Sequence, residues 1–143
     1  MELFLRYSAT RDVDTEFPGA RGFGFIRRVP RDAEERYIAQ MRTDGRPNFA
    51  IRELSPHDQE RYVIQYIEPV ERNLAAVGLD IGSERYRRAA ADAAIRTGQP
   101  QLTGPITLVQ ATGEPQQSFL LLMPIYRGAT TPNTVEKREA DAF

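Results

Sequence analysis

Hydrophobic and polar positions change period several times along the chain, and each change predicts an element. Leu3, Phe4 and Tyr7 recur at helical spacing, and Pro18 with Gly19 ends that stretch in a turn. Residues 22–29, GFGFIRRV, alternate Phe23, Phe25 and Arg27 against Gly24, Ile26 and Arg28 between turn residues, the pattern of a first strand. After Pro30 the period lengthens. Acids occupy the first turn, Tyr37, Ile38 and Met41 form a buried stripe, and Gly45 stands just past the end, so residues 31–45 predict a helix. Four further strands are expected at 49–54 (FAIREL), 61–68 (RYVIQYIE), 102–110 (LTGPITLVQ) and 118–127 (SFLLLMPIYR). Pro105 and Pro124 interrupt the last two, and proline cannot donate to a ladder, so each marks a bulge, an edge or a strand end.

Between residues 68 and 102 lies a second long helix, with Ser83 as its expected N-cap, Glu84 favourable to the helix dipole and Gly98 as its stop. Its Tyr86, Ala89, Ala90, Ala93 and Ala94 form a small-residue face suited to close packing on a sheet. Arg87 sits at the edge of that face, free to snorkel to solvent or to turn its guanidinium inward, while Arg88 points away. The tail carries a capping-box pattern from Asn133 to Glu136, which starts another helix with nothing evident to pack against. An α+β domain spanning 1–143 follows, long enough to bury a core without staples.

Charge and composition remove several function classes. A formal charge of -1 gives no bulk attraction to nucleic acid or an anionic membrane. All but one of the 19 basic residues are arginine, the exception being Lys137, a bias that fits GC-rich coding better than a phosphate-binding surface. Cysteine is absent, which excludes disulfides, thiolate metal sites and a cysteine nucleophile. No apolar run approaches the roughly 18 residues of a membrane span. No cofactor motif is present: GFGF lacks the third glycine and following helix of a dinucleotide fingerprint. His57, the single histidine, cannot build a His-rich metal site and reads as a solvated loop residue. Asp80 follows a glycine turn and precedes a helix. A general base there would want a second carboxylate or a histidine nearby, and the alternative is a carboxylate that accepts backbone N–H groups.

Several ordered blocks carry a family pattern: FPGARGFGFIRRV, then YIEPVERNLAAVGLDIGSERYRRAAADAAIRTGQPQLTGPITLVQ, then FLLLMPIYR. Their most specific pieces are GLD, the R-x-A-x-x-x-A-x-x-x-G helix from Arg88 through Ala90 and Ala94 to Gly98, LTGPI and MPIY. From about Phe17 to Tyr126 the chain resembles the CHASE domain, a sensory module found with cyclases and histidine kinases. The resemblance implies a PAS-like curved antiparallel sheet of about five strands with flanking helices, truncated here at both ends. It further implies a periplasmic module on the outer face of the bacterial inner membrane, part of a membrane-anchored homodimer. A small molecule would bind between sheet and helices and signal to a diguanylate cyclase or histidine kinase. Asp80 then reads as a fold residue, and the domain itself as non-enzymatic.

One position departs from the family. Plant cytokinin receptors use an aspartate on this helix to hold adenine, and Arg87 occupies the matching position. A base that only donates replaces an acid that accepts, so an anionic, carboxylate- or phosphate-bearing ligand becomes the natural choice. The same alignment puts Ile81, Thr103, Val109 and Leu122 in the pocket, and the strand residues Gln65 and Tyr66 are additions to it. The competing reading is a dimerisation or protein-partner module whose pocket is vestigial.

Overall fold

The computed structural model describes residues 6–7, 10–108, 117–128 and 130–143. Its first elements are a short helix α1 (Val13–Glu16), strand β1 (Phe23–Val29) and helix α2 (Glu34–Thr43), which ends before Gly45 at φ +92°. Strand β2 (Arg61–Glu68) pairs antiparallel with β1, so the strands predicted at 22–29 and 61–68 form with almost the predicted bounds. They do so because each alternates between two apolar clusters. Tyr62 and Ile64 join Ala76, Leu79 and Ile81 on one face, while Val63 joins Val29, Met41 and Phe49 on the other. Each fully buried aliphatic side chain of this kind contributes roughly 1.5–3 kcal/mol relative to exposure.

The register slips once, between Phe25 and Ile26, which pair with Tyr66 and Ile64 and leave Gln65 as the extra residue of a bulge. That extra residue reverses the alternation. Ile67 rejoins the cluster of Tyr62 and Ile64, and Tyr66 turns toward Phe49 on the opposite face.

Past β2 the chain forms helix α3 (Val70–Asn73) and a 3-10 turn, Leu74–Ala76. Residues 78–80 then continue the ladder on the free edge of β2: Ile64 N donates to Leu79 O (2.9 Å) and Gly78 N to Ile64 O (2.8 Å). Arg52 extends it by one further bridge, to Leu79. The strand expected at 49–54 shrinks to that single contact, because Phe49 N closes a turn onto Arg46 O and Arg42 takes the Phe49 carbonyl.

Helix α4 (Arg85–Thr97) follows a 3-10 turn, Ile81–Ser83, and stops at Gly98 with φ +70°. Its N-cap is Glu84 rather than Ser83. Glu84 accepts from Tyr86 N (2.9 Å) and Arg87 N (3.1 Å), whereas Ser83 donates to Asp80 O (2.6 Å) and accepts from Leu54 N (2.8 Å). The buried face of α4 is Arg87, Ala90 and Ala94, with Ala91 and Ile95 packed beside them, and Tyr86 stays exposed. The helix is thus rotated from the expected face of Tyr86, Ala89 and Ala93.

Strand β3 (Gln101–Leu102) pairs with β6 (Leu121–Leu122), and β4 (Ile106–Thr107) with β5 (Gln117–Ser118), both antiparallel. Thr103 N bonds Leu120 O (2.9 Å), so the two pairs are stretches of one hairpin whose register slips by a residue around Gly104 and Pro105. Proline's missing donor explains the interruption. Among the described residues the strands therefore form three antiparallel pairs, where one sheet of about five strands was expected. Phe119, Leu121, Met123 and Ile125 alternate outward and are exposed.

Helix α5 (Val135–Asp141) is capped by Thr134 rather than Asn133. It does find a packing partner: Arg138 Nε donates to Arg96 O on α4 (2.6 Å), and Phe143 lies 5.8 Å from Phe25. No helix among the described residues is long and apolar enough to cross a membrane.

Candidate functional site

Asp80 is fully buried, and both of its carboxylate oxygens are occupied. Oδ1 accepts from Tyr62 N and Gly82 N, each at 2.9 Å, and Oδ2 accepts from His57 Nε2 (2.7 Å) and Arg61 Nη1 (3.2 Å). Arg61 is itself shared with Glu34 and Glu53. A general base must reach a substrate proton. Asp80, with four donors and no solvent access, instead pins the GLD turn to β2 and to the loop before it. His57 is thereby corrected: its side chain is mostly withdrawn from water and bonded to Asp80, not solvated. Among the described residues no group of acids and His or Cys is arranged to hold a metal ion.

Arg87 turns inward. Only 3% of it is exposed, its Nη2 donates to Thr107 O (2.8 Å), and its buried Nε has no acceptor among the described residues. Glu84 Oε2 approaches that Nε only to 3.9 Å. Burial pulls the Arg87 pKa below the ordinary arginine value, and the Glu84 charge offsets part of that. A guanidinium withdrawn from water and left one bond short is an anion-receptive group. Arg88, expected in solvent, instead bonds Gly82 O (2.6 Å) and Glu60 O (2.8 Å) and lies over the Tyr62 ring.

The other expected site residues divide between the two faces of β2. Ile81 and Leu122 pack in one apolar cluster between β2, α4 and the hairpin. Thr103, buried, accepts from Leu120 N through Oγ1 (3.0 Å) and so joins the hairpin that Arg87 contacts at Thr107. Val109 lies outside the described residues. Gln65 and Tyr66 bond each other (3.0 Å), and Tyr66 faces a cavity of about 500 Å³ on the Phe49 side.

The family model of the CHASE domain matches residues 1–143. The chain belongs to the CHASE domain family. CHASE domains are extracellular sensory modules of signalling receptors, and the GLD turn, the α4 face and the hairpin described above are parts of this one. No curated protein matches the chain.

Residue patterns alone do not reveal two features of this CHASE domain. The cavity beside Tyr66 is lined by Arg46, Phe49, Arg52, Leu74 and Val77, whose segments are joined by the bridge of Arg52 to Leu79 and by bonds from Arg46 and Arg52 to the backbone of 65, 75 and 77. A usable signal is the pair of arginines that bracket the apolar run in RPNFAIR. The second feature is a polar cleft of about 240 Å³ where Tyr62 Oη donates to Asp92 (2.7 Å) and Arg28 pairs with Glu60 (2.7 Å). Arg96 pairs with Glu139 as well, which leaves Asp92 as the one acid of the cleft without a cation partner among the described residues.

Proposed function

We propose that this CHASE domain is an extracytoplasmic ligand-sensing module that binds a small anionic molecule through Arg87 and performs no catalysis of its own. In the whole receptor the bound state would pass through the membrane to a cytoplasmic output such as a diguanylate cyclase or histidine kinase. The observation that carries the reading is the buried, under-bonded guanidinium of Arg87 between α4 and the hairpin. An incoming carboxylate or phosphate supplies the acceptor that Nε lacks, and it does so where water no longer competes. Sensing follows from position. A ligand held by Arg87 ties α4 to the Thr103–Thr107 arm and favours the arrangement in which the two stand close.

A thermal-shift panel of carboxylates and phosphates tests this, because a ligand that binds only the folded state raises its melting temperature by mass action. At least one acid is expected to stabilise the wild type. Arg87→Ala should lose that shift, corresponding to about one to two decades in affinity, and Arg87→Lys should recover part of it. Arg85→Ala, exposed on the same helix, is the control and should behave as wild type. Equal shifts in wild type and Arg87→Ala would reject the assignment.

A further inference from the structure

The bulge at Gln65 opens a second face of the domain, away from Arg87. There a cavity of about 500 Å³ lies between β2 and residues 46–52, within the roughly 300–1,000 Å³ range of small-molecule pockets. Phe49, Leu74 and Val77 give it apolar walls, and Tyr66, almost fully buried, lines it as well. Two cations line it. The Arg46 guanidinium lies 4.4 Å from the centre of the Tyr66 ring and donates Nη1 to Gln65 O. Arg52 donates Nη2 to both Ala75 O (2.6 Å) and Val77 O (2.8 Å). Among the described residues these bonds use one terminal nitrogen of each guanidinium and leave the other and Nε to offer. The one acid on the wall, Glu68, accepts from Val70 N (3.1 Å) in its own turn and pairs with neither arginine among the described residues.

Behind Phe49 stands another donor, which does not itself line the cavity. Tyr37 stands edge-on to Phe49, with ring centres 5.8 Å apart. Its hydroxyl oxygen is buried and has no hydrogen-bond partner among the described residues. Burial drives the hydroxyl pKa well up, with Tyr66 adding to the rise and Arg46 opposing it, so the group remains a protonated donor. The wall thus combines the guanidinium donors of Arg46 and Arg52 with the apolar contact of Phe49, Leu74 and Val77, and its fixed charge is net positive.

We propose that this cavity is a second ligand site, which takes a small organic anion with an apolar, planar body. The carboxylate meets Arg46 and Arg52, and the body lies against Phe49, Leu74 and Val77. This site stands on other residues than the Arg87 reading and does not depend on it.

Phenylacetate and its neutral isostere phenylacetamide are suitable probes, titrated into the isotopically labelled domain and followed by amide NMR. Phenylacetate is expected to shift the Ala50, Arg52 and Val77 amides, and phenylacetamide to bind about tenfold more weakly. Arg46→Ala should weaken phenylacetate by about tenfold, and Arg85→Ala, exposed on α4, should leave it unchanged. Because Arg46 also ties down Gln65, Arg52→Ala serves as a second variant, expected to act in the same direction. The proposal is overturned if millimolar phenylacetate shifts none of these amides, if the amide probe binds equally well, if both arginine variants bind as wild type, or if the shifts fall on α4. The last outcome alone would instead favour the Arg87 site.

Discussion

Asp80 shows how far one residue's position decides its chemistry. It has the surroundings of a catalytic acid, with a histidine at 2.7 Å, yet it has no solvent access and accepts four hydrogen bonds. Asp80→Asn keeps one oxygen for Tyr62 N and Gly82 N but turns an amide N–H₂ toward His57 and Arg61, donor against donor. The cost should be about 1–3 kcal/mol, read as a lower urea midpoint at unchanged slope. A midpoint equal to that of wild type would show the network to be incidental. The sequence makes the backbone half of this legible, because an aspartate after a glycine turn accepts N–H groups. The His57 half is not legible, since 23 residues separate the partners and only the fold brings them together.

Elements were readable where one pattern dominates and unreadable where the tertiary structure chooses. Residues 23–29 and 61–68 alternate cleanly and form strands, and the stops at Gly45 and Gly98 have the positive φ that glycine tolerates. Residues 49–54 alternate too, but both backbone groups of Phe49 are taken by Arg42 and Arg46, which leaves the ladder to Arg52 alone. The face of α4 was misjudged for a related reason. Arg87 is buried against Thr107 while Tyr86 is left outside, an exchange that hydrophobicity alone would never select. The GLD turn gives a direct test of these constraints. Gly78 has φ +81°, and a β-carbon there would collide with Ala50 O, whereas Gly45 at φ +92° has nothing nearby. Gly45→Ala should cost about 1–2 kcal/mol, the left-handed penalty alone, and Gly78→Ala clearly more. Thermal melts of the two variants decide it, and equal losses would mean that the strand edge at residues 78–80 yields freely.

For the whole molecule, β2 separates two differently built faces. One carries the apolar cluster of Ile81 and Leu122, with α4 and Arg87 beyond it, and the other carries Tyr66 and the arginine-lined cavity. Family membership was legible because the ordered blocks of β1, the GLD turn, α4 and the hairpin survive as a sequence pattern. The division of Ile81 and Leu122 from Gln65 and Tyr66 was not, because it rests on one bulge residue that reverses the alternation. The central claim is that the Nε–H of Arg87 is a vacant donor awaiting an acid. Its most direct test is the side-chain Nε–H NMR resonance of Arg87, assigned by its disappearance in Arg87→Lys and followed while the acid identified by thermal shift is added. The account predicts a large downfield movement of that one resonance with the same midpoint as binding. Saturation of the protein with the Arg87 resonance unmoved would contradict it.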